Sequence, residues 1–434
     1  MVYLNVIYFL IITYLAITYL QKRVRVLANP CVAKGKIAVD GPELFWILTF
    51  STGLLAFSAD VGLDLMAIRL LVLEILCLCA INMTRNKVVL TPALIVYFVF
   101  VAWMVIGLFY GPNGSFMYGI RTILKYMYAP LVALCASSIV KDFEVFMKAA
   151  TFARVTALVS FIVGSTFLRH LVPGAFWCGT ALAINYISIM TLSLVLFFEG
   201  DSKDKKKNLA FSIFFIIPCF IWVFRTSIMG SLVAIMTVSF IKWRIKSLPI
   251  IAAVLIAGVL AVFFIPSLNE KMFREENAVT LEQFQESGVS MDNIDSNGRQ
   301  GMWEYCEEHF YKGHELTGSG TGNLQYSFYT SLHKIFNGIK IIHSDFFQQK
   351  CDNGLIGLVL YGAASFLIFL HCFFTYHSTR DPRIRIPALV AGAAIIGVYV
   401  THYSDNTVNY SMATLSMPYG FYGMMLGIKS KLKR

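Results

Sequence analysis

Residues 352–376 read Asp352-Asn353-Gly354-Leu355-Ile356-Gly357-Leu358-Val359-Leu360-Tyr361-Gly362-Ala363-Ala364-Ser365, then Phe366-Leu367-Ile368-Phe369-Leu370-His371-Cys372-Phe373-Phe374-Thr375-Tyr376. After Asp352 no carboxylate, lysine or arginine interrupts the stretch. A helix rises about 1.5 Å per residue, so this run crosses a hydrocarbon core of roughly 30 Å. Working outward, similar runs recur at 3–20, 44–58, 65–82, 88–109, 121–139, 149–167, 175–198, 208–224, 228–241, 248–266, 387–401 and 409–428. They are continuous, not alternating, which argues for helices and against a barrel. The expected fold is all-α and polytopic, with about 13 transmembrane helices. The short spans 44–58, 228–241 and 387–401 are expected to be tilted or re-entrant.

The composition agrees: 57% of the 434 residues are hydrophobic and 14% are charged, against about 25% charged in a soluble domain. A formal net charge of +11 raises the question of nucleic acid, but the distribution answers it. Clusters at Lys22–Lys36, Arg85 and Lys87, Lys141 and Lys148, Lys203–Lys207, Lys242–Lys246, Arg380–Arg385 and Lys429–Arg434 hold 23 of the 36 Lys and Arg and fall at every second junction. This is the positive-inside pattern of membrane proteins, and no nucleic-acid partner is expected. The basic junctions are read as cytoplasmic, which puts the N-terminus outside and the C-terminus inside. Tyr3–Leu20 lacks a preceding cation and a small-residue cleavage site, and reads as a retained helix.

One connection is long, from about Pro266 to Ile342, and parity places it outside. The expected organisation is a transmembrane bundle over 1–266, an extracytoplasmic loop over 267–345 and C-terminal transmembrane helices over 346–434. Between Ser267 and Ile342 there are 11 Asp and Glu against 6 Lys and Arg. Loops of this length in a compact bundle are usually functional. Arg299 and Trp303 are four apart and share a helix face, which suits either an anion beside a sugar ring or an ordinary amphipathic helix. The run Gly318-Ser319-Gly320-Thr321-Gly322 reads as a plain turn or as a phosphate cradle of backbone N–H groups. His343, at the end of the loop, is structural or catalytic. Arg121 and Lys125 share a face of one span and Arg225 ends another, all on the outer half. Snorkelling explains such residues, and so does an anion site at membrane level. A lipid pyrophosphate would suit arginine forks. Nine cysteines are scattered without metal-type spacing. Cys306 and Cys351 flank much of the loop and could pair in an oxidising compartment.

Taken together, Gly298-Arg299…Trp303, Gly318-x-Gly320, His343 and Gly354-Leu355-Ile356-Gly357 resemble the signature of the O-antigen polymerase and O-antigen ligase superfamily. The resemblance covers roughly residues 210–428, including Arg225 and the tail Ser404-Asp405-Asn406 with Pro418. It departs where His343 is followed by Ser344 instead of asparagine, where Arg225-Thr226-Ser227 replaces a serine-arginine turn, and where Asp352 replaces a glutamate.

The resemblance implies a GT-C-like glycosyltransferase of the bacterial inner membrane. Its donor and acceptor would be undecaprenyl-pyrophosphate-linked glycans in a setting of membrane lipid, with a chain-length regulator protein as a further partner. On that reading His343 is the general base, with Asp345 its rival, and Arg225, Arg299, Arg121 and Lys125 hold the leaving pyrophosphate. Trp303, Gly318 and Gly320 complete the substrate contacts. No cofactor is expected, and no Asp-x-Asp motif argues for a metal. Polymerisation of repeat units is preferred. The alternatives are ligation of the finished glycan to lipid A-core, and flipping of the same lipid-linked sugar, against which stands the lack of an inverted repeat.

Overall fold

The computed structural model describes residues 88–165, 180–221, 225–266, 300–336, 339–410 and 413–432, with Asn269 and scattered positions between 70 and 81. Among the described residues every regular element is helical. In chain order these are α1 (Pro92–Gly107), α2 (Phe116–Ile139), α3 (Phe143–Ser165), α4 (Thr180–Glu199), α5 (Lys205–Ile221), α6 (Arg225–Trp243) and α7 (Leu248–Phe264). There follow α8 (Gln300–Cys306) and α9 (Asn323–Ser327) of the long connection, then α10 (Asp345–Ser378), α11 (Pro382–Ser404) and α12 (Ala413–Leu432). The expected spans 3–20 and 44–58 lie outside the described residues, and 65–82 does so in large part. The other ten each correspond to one of α1–α7 and α10–α12, shifted at their ends by a few residues.

Local signals set those ends. Thr91 caps α1 by accepting from the Leu94 N–H, and Pro92 sits where a helix needs no donor. Asp381 and Pro382 repeat the device at α11. The span expected at 387–401 is therefore a 23-residue helix, because Arg383 and Arg385, which truncate an apolar count, lie in its first turns. The span expected at 228–241 lengthens likewise, to the 19 residues of α6. A 3-10 turn, Arg244–Ser247, joins α6 to α7. Leu232 lies against Gly258, nearly symmetric about that turn, so the chain reverses there.

By length and hydropathy the stretches Asn113–Ile139, Arg225–Ala261, Asp345–Ser378 and Pro382–Ser404 suffice to cross a membrane, the second containing the α6–α7 reversal. The outer helix faces are apolar and bare: Ile95 and Val99 on α1, Leu255 and Ile256 on α7, Val359 and Phe366 on α10. Such faces are stable when lipid covers them. This is a multi-pass membrane protein.

The two ends of the bundle differ. At one, Glu199 pairs with Lys242 and Arg385 and accepts from the Tyr376 hydroxyl. Lys431 meets Asp142 there, and Lys141 meets Ser430. Four of the basic junctions thus converge on this end. At the other end the long connection builds a small core of its own from Met302, Cys306, Leu324, Phe328, Leu332 and Ile342, closed against Cys351. Cys306 and Cys351 are free thiols in that core. The Cys351 Sγ points to the Cys306 carbonyl at 3.8 Å, and burial pushes the Cys306 thiol up to about 12, which leaves it protonated and unreactive.

Candidate active site

The connection is fastened to the bundle by a break in α10. Gly354 has φ 65° and ψ −167°, a conformation that only glycine adopts readily. In an unbroken helix the Leu355 and Ile356 N–H groups would bond to the carbonyls of Cys351 and Asp352. Instead they donate to Glu315 and Leu316 of the loop, at 2.8 and 3.3 Å. The vacated Cys351 and Asp352 carbonyls accept from the Ser319 and Gly320 N–H groups, at 2.9 and 3.0 Å. A loop segment is thus spliced into the hydrogen-bond ladder of a membrane helix. The Asp352 carboxylate, fully buried, completes the joint by accepting from the N–H groups of Leu324 (2.8 Å) and Gly322 (3.1 Å). Trp103 and Tyr110 donate into the same joint, to the carbonyls of Asn353 and Thr317.

This geometry decides the glycine run. The Gly318 N–H donates to His314, Gly320 to Asp352 and Thr321 to Gly107. No N–H of Gly318 or Gly320 is left for a phosphate. These two glycines, expected among the substrate contacts, here fit the turn reading: with φ of 77° and 108° they let the loop backbone touch α10 and α1.

Eleven residues before the Gly354 break, the chain turns into α10 through His343. Its φ of 58° is left-handed, rare for a side chain with a Cβ and typical of functional positions. The turn is held by Ser344, which accepts from the Phe347 N–H as the cap of α10. It aims the His343 Nδ1 at Asp405 Oδ1, 3.5 Å away at the far end of α11. That distance is long for a hydrogen bond, as such contacts often are before substrate binds. The His343 side chain is 21% exposed, so the pair is within reach of a ligand. Trp303 forms the neighbouring wall. Its indole N–H donates to the Ile342 carbonyl at 3.0 Å, and its ring stacks on Phe347 and meets Tyr403 edge-on.

Asp345 faces inward and is fully buried. It accepts from the Thr407 hydroxyl (2.9 Å), the Val408 N–H (3.1 Å) and the Tyr126 hydroxyl (3.4 Å), and lies 3.5 Å from His402 Nδ1. Its place is under the site, tying α10 to α2 and to the turn after α11.

The predicted cations among the described residues lie on two elements, α2 and α6. Arg121 lies on α2 over the Tyr118 ring, which touches Tyr326 and Tyr329 of the loop. Lys125 precedes Tyr126, the residue that reaches Asp345. On α6, Gly230 packs so closely on Gly397 and Thr401 of α11 that a Cβ there would clash with both, near the end of α11 that carries Asp405. Arg225, five residues earlier, opens α6 at that same end of the bundle. Arg299 falls outside the described residues.

The segment 209–362 matches the family model described as O-antigen ligase. This segment belongs to the O-antigen polymerase and ligase superfamily. It contains Arg225, Arg299, Trp303, His343 and the Gly354 joint, and it stops short of Asp405. No curated protein matches the chain. The superfamily residues were legible as a linear signature, but Asp405, His402 and Asn406 enter the site only through the fold. Asp405 lies 62 residues from His343, and only the tail Ser404-Asp405-Asn406 pointed towards it.

Proposed function

We propose that this protein is a membrane glycosyltransferase that polymerises undecaprenyl-pyrophosphate-linked repeat units into a surface polysaccharide on the outer face of the bacterial inner membrane. The observation that carries this reading is the His343–Asp405 pair, held beside Trp303 at the end of the bundle where Arg225 opens α6. The His343 ring takes the proton of an acceptor hydroxyl while that oxygen attacks the anomeric carbon of the donor. The bond from that carbon to the pyrophosphate oxygen breaks, and the lipid pyrophosphate leaves with its charge. Asp405 orients the imidazole and steadies its cation, as the third member of a triad does. Trp303 offers an aromatic wall to a sugar ring. Arg225, Arg299, Arg121 and Lys125 receive the leaving charge, so that the reaction runs without a divalent metal.

Arg225→Ala and Arg299→Ala are expected to weaken donor binding and turnover together. A charge-assisted bond contributes about 1.5–3 kcal/mol, or roughly ten- to a hundredfold. Lysine at either position should recover part of the loss, because it keeps the charge but not the fork. Titration of the folded variants with the lipid pyrophosphate product reads this directly, and unchanged affinity would remove them from the site.

The description of the matched family favours one second reading, ligation, which differs only in the acceptor: a lipid A-core sugar instead of a second lipid-linked glycan. Purified protein given lipid-linked repeat units in EDTA is expected to produce a ladder of longer lipid-linked chains. A single transfer, made only when lipid A-core is added, would establish ligation. A strict need for added magnesium or manganese would defeat metal independence.

A further inference from the structure

Beside the His343–Asp405 pair lies a narrow cleft that the mechanism above does not use. Gln325, Gln348 and Asn406 form its polar side, and Leu324, Phe328 and Ile342 its apolar side. Each wall adjoins the pair in sequence, Ile342 before His343 and Asn406 after Asp405. It admits a single exocyclic group, not a sugar ring.

The hydrogen bonding of its walls has a direction. Both Asp352 carboxyl oxygens already accept backbone N–H groups, and the Gln348 Nε2 donates to the Oδ2 as well, at 3.5 Å. The Gln348 Oε1 then accepts from the Asn406 Nδ2, at 2.8 Å. That leaves the Asn406 Oδ1 as the end of the relay. Asn406 is 1% exposed, and its Oδ1 accepts nothing among the described residues. A buried carbonyl oxygen without a donor is destabilising by about 1–3 kcal/mol, and native folds rarely leave one without a role.

We propose that this cleft is a glycan-recognition subsite for one exocyclic hydrogen-bond donor, a hydroxyl or the N–H of an acetamido group. The donor reaches the Asn406 Oδ1 inside the cleft, past its apolar side of Leu324 and Phe328, and the sugar ring stays outside. The splice at Gly354 and the catalytic turn at His343 are joined through Asp352, Gln348 and Asn406, so the sugar read here is held in register with the base. The inference rests on the transferase reading and adds to it the feature that selects the sugar.

The test uses full-length protein and, as probe, the oligosaccharide repeat released by mild acid from the host cell's own lipid carrier. Binding is measured by saturation-transfer NMR titration and compared with turnover of the lipid-linked repeat by wild type. Asn406→Leu removes the acceptor and keeps the volume, and is expected to weaken oligosaccharide binding by about five- to a hundredfold. Gln325→Leu, at the half-buried rim, tests the same cleft without entering the core and should weaken binding severalfold. If Asn406→Leu does not fold, Gln325→Leu decides. Wild type that turns over lipid-linked glycan while both folded variants bind the probe within twofold of it overturns the subsite and leaves the transferase reading standing. Wild type that binds the probe but transfers nothing overturns the transferase reading instead.

Discussion

Replacing His343 with alanine is expected to lower turnover about a hundred- to ten-thousandfold, the range for loss of a general base, with donor binding close to wild type. The separation follows from position. On the proposed reading His343 serves the acceptor, with Asp405 behind it, whereas Arg121, Lys125 and Arg225, proposed for the pyrophosphate, sit on α2 and α6. The left-handed backbone at His343 complicates an alanine result, because alanine is strained there as well. His343→Asn removes the imidazole but tolerates a positive φ far better. If both variants melt with wild type and both lose turnover, the loss is chemical. If folded His343→Asn polymerises at near wild-type rate, His343 is not the base. Asp405→Asn should then serve as the control for position: it keeps the shape, loses the charge, and is expected to fall by less than either His343 variant.

Gly354→Ala is expected to undock the long connection and abolish activity by a different route. A Cβ at this position falls on the Leu316 carbonyl carbon, which is backbone and cannot swing aside. The φ of 65° with ψ of −167° is strained for alanine whatever the space. Strain and overpacking together destabilise the joint by about 2–6 kcal/mol, a large part of the roughly 5–15 kcal/mol that holds a domain folded. Restoring the helix at residue 354 would also return the Leu355 and Ile356 N–H groups to Cys351 and Asp352, leaving Glu315, Leu316, Ser319 and Gly320 without their partners. Limited proteolysis should cut the variant between 300 and 342 under conditions that leave wild type intact. Intact protease resistance with normal turnover would show that the splice does not hold the loop.

The sequence by itself determined that this chain is helical and lies in a membrane, because an apolar run of about 20 residues has no other stable state in lipid. The ten spans between 88 and 428 were legible for that reason, and only their ends moved, where Arg383, Arg385 and Asp345 proved to be helical. It also pointed to a family resemblance, because Arg299, Trp303, His343 and Gly354 form a linear signature, and the segment 209–362 that holds them matches the O-antigen ligase family model. The tertiary structure decided where the residues of that signature lie and what they touch. Gly318 and Gly320 read as a turn in preference to a phosphate cradle, but only the acceptors of their N–H groups show where those donors go, since a backbone donor is free or committed only by virtue of what packs against it. Asp345 and His343, two residues apart, looked like rivals for one role. The left-handed turn at His343 and the start of α10 send one side chain outward to Asp405 and the other inward to Thr407 and Val408. The Asp352–Gln348–Asn406 relay spans 54 residues of chain, and no local pattern encodes it. Hydrogen bonds across that distance form only where α10 and the end of α11 are packed together, and the packing of those helices is a property of the whole core.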